Sequence, residues 1–163
     1  MSMKKLLVFL ILFSFNAFGG QKMLHPDFPV VKGKYQMTPE WSITLGQEHN
    51  RRVDEGSLVL WRPGFTVWIN VWGNDNNESI EERLKWITAE SSPNAFDVNS
   101  VTKGSAHAFS YRLNETENGK VTLTYNGYIL ANDSHVQVSV YFDSESEASE
   151  AKSIMESLEY AQP

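Results

Sequence analysis

Phe65-Thr66-Val67-Trp68-Ile69-Asn70-Val71-Trp72-Gly73 is the clearest strand in the chain. Its odd positions, Phe65, Val67, Ile69 and Val71, give one apolar face at the two-residue period of a β-strand. Its even positions are Thr66, Trp68, Asn70 and Trp72, so the second face is greasy as well. A strand apolar on both sides is usually covered on both, which places this segment inside a layered fold.

Working outward toward the N-terminus, Pro63-Gly64 marks a turn, preceded by a strand-like run over Ser57–Arg62. Asp54-Glu55-Gly56 then joins that run to Arg51-Arg52-Val53 as a hairpin, and the alternating Trp41–Leu45 follows a turn set by Pro39. Residues 20–34, with Pro26 and Pro29 and no periodicity, read as an irregular lead-in. Toward the C-terminus, Ser79-Ile80-Glu81-Glu82 is a capping box, and Ile80, Leu84 and Ile87 form the stripe of a helix that stops near Ser91-Ser92-Pro93. Trp86 falls off that stripe. A short strand is expected over Asp97–Val101 and a longer one over His107–Leu113.

Asn118-Gly119 is the strongest two-residue hairpin signal available. It leads into Lys120–Ala131, where Val121, Leu123 and Tyr125 share a face. There the apolar phase then shifts to Tyr128 and Leu130, which predicts a bulge at Gly127. Val136, Val138, Val140 and Phe142 align the next strand. Ser144 and Glu147 read as a second capping box, opening a helix whose stripe is Ala148, Ala151, Met155 and Leu158, with Ile154 beside it. Acidic residues in its first turns, Glu145, Glu147 and Glu150, suit the helix dipole. The expected class is therefore α+β. An antiparallel sheet of about six strands carries two main helices packed on it as a sandwich, in a single domain over residues 35–160.

The order of these elements, the Pro39-Glu40-Trp41 entry to the first strand and the closing Met155-Glu156-Ser157-Leu158 resemble the PsbP superfamily over Tyr35–Leu158. That group includes photosystem extrinsic proteins and small DcrB-like proteins of the bacterial envelope. The resemblance implies a PsbP-like sandwich and an accessory or binding role without catalysis, by fold analogy alone, and it carries over no functional residue.

Residues 1–19 have the three parts of a secretion signal: basic Lys4 and Lys5, an apolar run over Leu6–Phe15, and Ala17 and Gly19 before a cut. The apolar run is shorter than the roughly 20 residues that span a bilayer. Cleavage leaves 144 of the 163 residues and moves the formal charge from −6 to −8 with the loss of the two lysines. The expected location is periplasmic or secreted, in a bacterium, with no stable membrane anchor. Such acidity argues against nucleic acid as a partner. With no cysteine, thiolate chemistry, disulfides and a cysteine lipid anchor are excluded.

His25, His49, His107 and His135 lie on separate elements with no metal-ligand spacing, and Asp75-Asn76-Asn77-Glu78 lacks the alternation and glycine of a calcium loop. No Gly-x-Ser-x-Gly elbow is present. No residue is assigned to catalysis, to a metal or to a cofactor. The sequons at Asn77, Asn114 and Asn132 read as ordinary turn residues. One constellation stands out: Arg51, Arg52, Trp61, Arg62, Trp68 and Trp72 on three successive strands of an acidic chain, the residue types that dominate recognition surfaces. The competing expectation is that the tryptophans are core and the arginines cap them from the rim. These residues point to a binding or accessory protein of the envelope, engaging a protein or a small ligand. An immunity protein against an envelope-acting toxin and a small periplasmic hydrolase are the alternatives. An exposed Trp68 or Trp72 favours binding, and a polar pocket holding His107 or His135 beside an acid favours the hydrolase.

Overall fold

A computed structural model describes residues 23–162; the expected signal sequence lies outside them. One antiparallel sheet dominates. Its strands are β1 (Val30–Gln36), β2 (Trp41–Asp54), β3 (Ser57–Arg62), β4 (Phe65–Gly73), β5 (Phe96–Lys103), β6 (Ala106–Glu117), β7 (Lys120–Leu130), β8 (Ser134–Phe142) and β9 (Glu159–Tyr160). They lie in the order β1-β2-β3-β4-β8-β7-β6-β5, with β9 paired to β2. Helix α1 (Ile80–Glu90) links β4 to β5, and a 3-10 turn (Glu145–Glu147) leads into α2 (Ala148–Glu156).

The expected sandwich of about six strands is overturned: nine strands take up 56% of the described residues and helix only 16%. Three strands in particular differ from the expectation. β1 begins at Val30, inside the stretch read as irregular; Gly33 on its inward phase and Val30 on its outward one hide the alternation. β2 runs unbroken through Gly46–Asn50, where a register shift against β1 hides the period. β9, two residues long, has no pattern to detect.

The helices lie on opposite faces. α2 lies over β2, β7 and β8 and buries Ala151, Ile154 and Met155 in the same core cluster as Phe65, Val67 and Ile69 of β4 and Val136, Val138 and Val140 of β8. α1 covers only the far end of the other face, packing Ile80, Leu84 and Ile87 on Phe109 of β6 and Leu130 of β7. This arrangement explains the phase shift in β7. No bulge exists at Gly127, since its pairing with β6 and β8 is regular on both sides. Tyr125 and Ile129 belong to the α2 face, whereas Tyr128 and Leu130 meet α1. Gly127 is needed for close approach instead. A Cβ there would stand 3.0 Å from Met155 Sδ and 3.2 Å from the Phe109 carbonyl oxygen.

The Ser79 capping box forms as expected: Glu82 N–H donates to Ser79 Oγ, and Ser79 N–H donates to Glu82 Oε2. The second box does not. Ser144 caps the 3-10 turn, accepting from Ser146 N–H, and the acids after it are drawn to the sheet. Glu145 is held by both terminal nitrogens of Arg112 at 2.6 and 2.7 Å, and Glu147 and Glu150 by Arg62 at 2.8 and 2.7 Å. Two arginines from β3 and β6 thus clamp the start of α2 by charge-assisted bonds, a stronger constraint than the dipole alone. α1 is latched in a similar way: the nearly buried Arg83 donates to the Ala131 and Ser134 carbonyl oxygens of the β7–β8 turn.

Candidate functional site

Strand alternation divides the six sequence-selected residues between the two faces. Arg51 pairs with Leu60 and Arg62 with Phe65, both core residues, so these two arginines belong to the α2 face. Arg62 is occupied there by its two glutamates and lies 4.5 Å over the Phe65 ring, and Arg51 lies over Tyr35 at 5.8 Å. Both are held within the α2 face, over Phe65 and Tyr35, so neither caps the tryptophans as the rim-capping expectation had it. Arg52, Trp61, Trp68 and Trp72 share the opposite face.

On that face the register sets side chains in rows across the strands. One row is Arg52, Val59, Trp68, Ser139, Asn126 and Tyr111, running from β2 to β6. The next is Asp54, Ser57, Asn70, Gln137 and Tyr128, with Ser57 joined to Asn70 by its hydroxyl hydrogen bond. α1 reaches only the Tyr111 and Tyr128 ends of these rows, and among the described residues no helix covers the β3–β4–β8 part. Trp72 is 51% exposed, and Trp68 and Trp61 are partly exposed. Trp61 is held from two sides: Phe28 packs edge-on against it at 4.9 Å and the Arg52 guanidinium lies 5.1 Å over its ring. Asn50, fully buried, ties the Phe28 segment down by donating to the His25 and Phe28 carbonyl oxygens.

The polar side chains between the rings are organised by each other. Ser57 Oγ donates to Asn70 Oδ1 at 2.7 Å, Ser139 Oγ to Asn126 Oδ1 at 2.8 Å, and Gln137 Nε2 to the Tyr128 hydroxyl at 3.1 Å. These bonds fix the side chains but leave the Asn70 amide N–H groups and the Gln137 carbonyl oxygen without a partner among the described residues. Arg52 and Asp54 pair at 2.9 Å, so the two rows carry no net charge. Burial pushes the Tyr111, Tyr128 and Tyr141 hydroxyls up, with Glu115 adding to it at Tyr111 and Tyr141, which keeps all three protonated and neutral.

Two open grooves lie elsewhere. An open groove of about 580 Å³ and another of about 520 Å³ flank Arg62 where the irregular part of β2 meets the start of α2, lined by Gln47, Glu147 and Glu150 among others. Arg62 is committed to both glutamates and Gln47 to Glu150, while Lys32 and Glu48 line the first groove with no ion-pair partner among the described residues. Behind them His49 is fully buried; its Nδ1–H donates to the Gln47 carbonyl oxygen at 3.0 Å, and Nε2 has no partner among the described residues. Burial holds its pKa below the ordinary 6.5. His107 contacts Ser100 and Thr102, and His135 lies near Arg83 with its pKa lowered chiefly by burial. Neither has a carboxylate partner among the described residues, and no group of three or more His, Asp or Glu there is placed to hold a metal ion. Among the same residues, no helix is long and apolar enough to cross a membrane.

Sequence reasoning found the tryptophans through residue type alone. It missed Asn70, Gln137, Ser139 and Asn126, because a lone polar residue in a strand looks like ordinary solvent-facing alternation until the register aligns it with others. No family model and no curated protein matches the chain. Among solved structures, the chain is similar to a crystal structure of a protein from Bacteroides thetaiotaomicron VPI-5482, with a TM-score of 0.59 at 18% identity. The match covers 81% of this chain and 50% of that one, so this chain matches about half the length of that neighbour, and the likeness is one of fold.

Proposed function

We propose that this chain is an exported binding or accessory protein of the bacterial envelope, and that it engages its partner through the uncovered aromatic and polar face of the sheet. The observation that carries this reading is β4 itself. One side of the strand is core, while the other presents an exposed Trp72 and a partly exposed Trp68 on either side of Asn70. Large rigid rings interleaved with adaptable hydrogen-bonding groups supply contact area at low conformational cost, which is the composition of recognition surfaces. The basic, apolar and small-residue segments of residues 1–19 support export, and the resemblance in element order to PsbP-like proteins points to the same kind of role.

The test uses tagged mature protein incubated with an envelope fraction, beside a Trp68→Ala/Trp72→Ala variant and an Arg62→Ala variant. A stoichiometric component retained by wild type and Arg62→Ala but lost from the tryptophan variant supports the reading. Equal retention by all three removes the face from it. N-terminal sequencing of the protein recovered from the periplasm tests export, with a start at Gly20 expected.

A further inference from the structure

Resting on that reading, we infer that the occupant of the uncovered face is a neutral, extended polyhydroxylated ligand, an oligosaccharide chain, held by Trp68 and Trp72 with Asn70 and Gln137 between the rings. An ionic ligand needs an unpaired opposite charge, and in the central rows Arg52 and Asp54 neutralise each other at 2.9 Å. Glu115 stands beyond the rows, opposite Thr122 on the projecting part of the β6–β7 hairpin. A nucleic acid finds no free cation in those rows to meet its phosphates. A purely apolar partner would cover the Asn70 amide and the Gln137 carbonyl without giving them a hydrogen bond, a penalty of roughly 1–3 kcal/mol for each.

A sugar ring matches both parts of the surface at once. Its C–H faces pack on an indole plane, and each hydroxyl both donates and accepts, as amide side chains do. The floor is also set in advance, since Ser57 fixes Asn70 and the Tyr128 hydroxyl fixes Gln137, so little side-chain freedom is lost on binding. Length follows from strand geometry. Trp68 and Trp72 are four residues apart on one strand, about 13 Å at a rise of roughly 3.3 Å per residue, so a ligand touching both is an oligomer.

The experiment titrates purified mature protein with chitohexaose, cellohexaose and maltohexaose as neutral probes and with polygalacturonate as a charged one, following tryptophan fluorescence and side-chain NMR of Asn70 and Gln137. Saturable binding of at least one neutral hexasaccharide is expected. Weakening should reach about tenfold in Trp68→Ala, with a smaller loss in Asn70→Ala, whose side chain is outside the core and whose unfolding midpoint should stay near wild type. Arg62→Ala should bind as wild type does. If no neutral hexasaccharide binds while an envelope component is still held through Trp68 and Trp72, the face binds another class of partner and the inference falls alone. If neither is bound, the binding reading falls with it. Tighter binding of polygalacturonate than of every neutral probe overturns the neutral class.

Discussion

The two faces of β4 are built from one strand and behave as different materials. On the α2 side, Phe65, Val67 and Ile69 are fully buried and meet valines of β8 under a helix locked down by Arg62 and Arg112. On the other side, Thr66, Trp68, Asn70 and Trp72 lie in rows with Tyr141, Ser139, Gln137 and His135, and α1 comes near these rows only at His135, through Arg83. The difference teaches that tryptophan in a strand is not by itself a core residue. Trp41, also in a strand, is fully buried, with its indole N–H donating to Ser134 Oγ at 3.0 Å, whereas Trp72 is open. What separates them is which residues the fold brings opposite, not the side chain.

Phe65→Ala should cost about 3–5 kcal/mol of unfolding free energy, the usual result of emptying a packed aromatic site, whereas Trp68→Ala, three residues along on the other face, should cost less than half as much. Equal losses in urea unfolding would mean that both faces are core. Next come the arginines. Removing Arg62 leaves Glu147 and Glu150 partly buried without their cation, so Arg62→Ala should lose about 2 kcal/mol, against less than about 1 kcal/mol for Arg52→Ala, whose pair with Asp54 is more exposed. A larger loss at Arg52 would reverse the assignment of clamp and surface.

pH sharpens the contrast further. His49 on the α2 side and His135 on the other are both held below 6.5, first by burial, with the nearby positive charge of Arg62 or Arg83 acting in the same direction. The unfolded chain therefore takes up these protons first as pH falls. Stability is complete above about 6.5 and declines as pH drops through that value toward the lower folded pKa values. Urea midpoints between pH 7.5 and 5.5 should fall for wild type and flatten in a His49→Gln/His135→Gln variant. An unchanged slope in the variant would assign the effect to other groups. The smallest change is expected at Trp72→Ala, within about 0.5 kcal/mol of wild type in stability, since half the ring is already in water. Its consequence should be seen in binding instead.

Local signals survived the comparison with structure where they rest on short-range chemistry. The Asn118-Gly119 turn forms with φ of 51° and 76°, both in the left-handed region that such a hairpin requires, and the Ser79 box caps α1. The Ser144 box failed because Glu147 has a better partner in Arg62, 85 residues away in sequence. Gly127 was misread for a related reason: its glycine answers Met155, a residue of α2, and not a local irregularity.

By itself, then, the sequence determined the antiparallel strands with strong alternation, the two helices and their apolar stripes, and the residue types able to make a recognition surface. These depend on period, capping and turn chemistry within a few residues. Only the tertiary structure decided that nine strands join one sheet, that α1 and α2 take opposite faces, and that Arg51 and Arg62 part company with Arg52, Trp61, Trp68 and Trp72. The physical reason is register. A one-residue step moves a side chain to the other side of a sheet, and which side a helix then covers is fixed by partners far away in the chain.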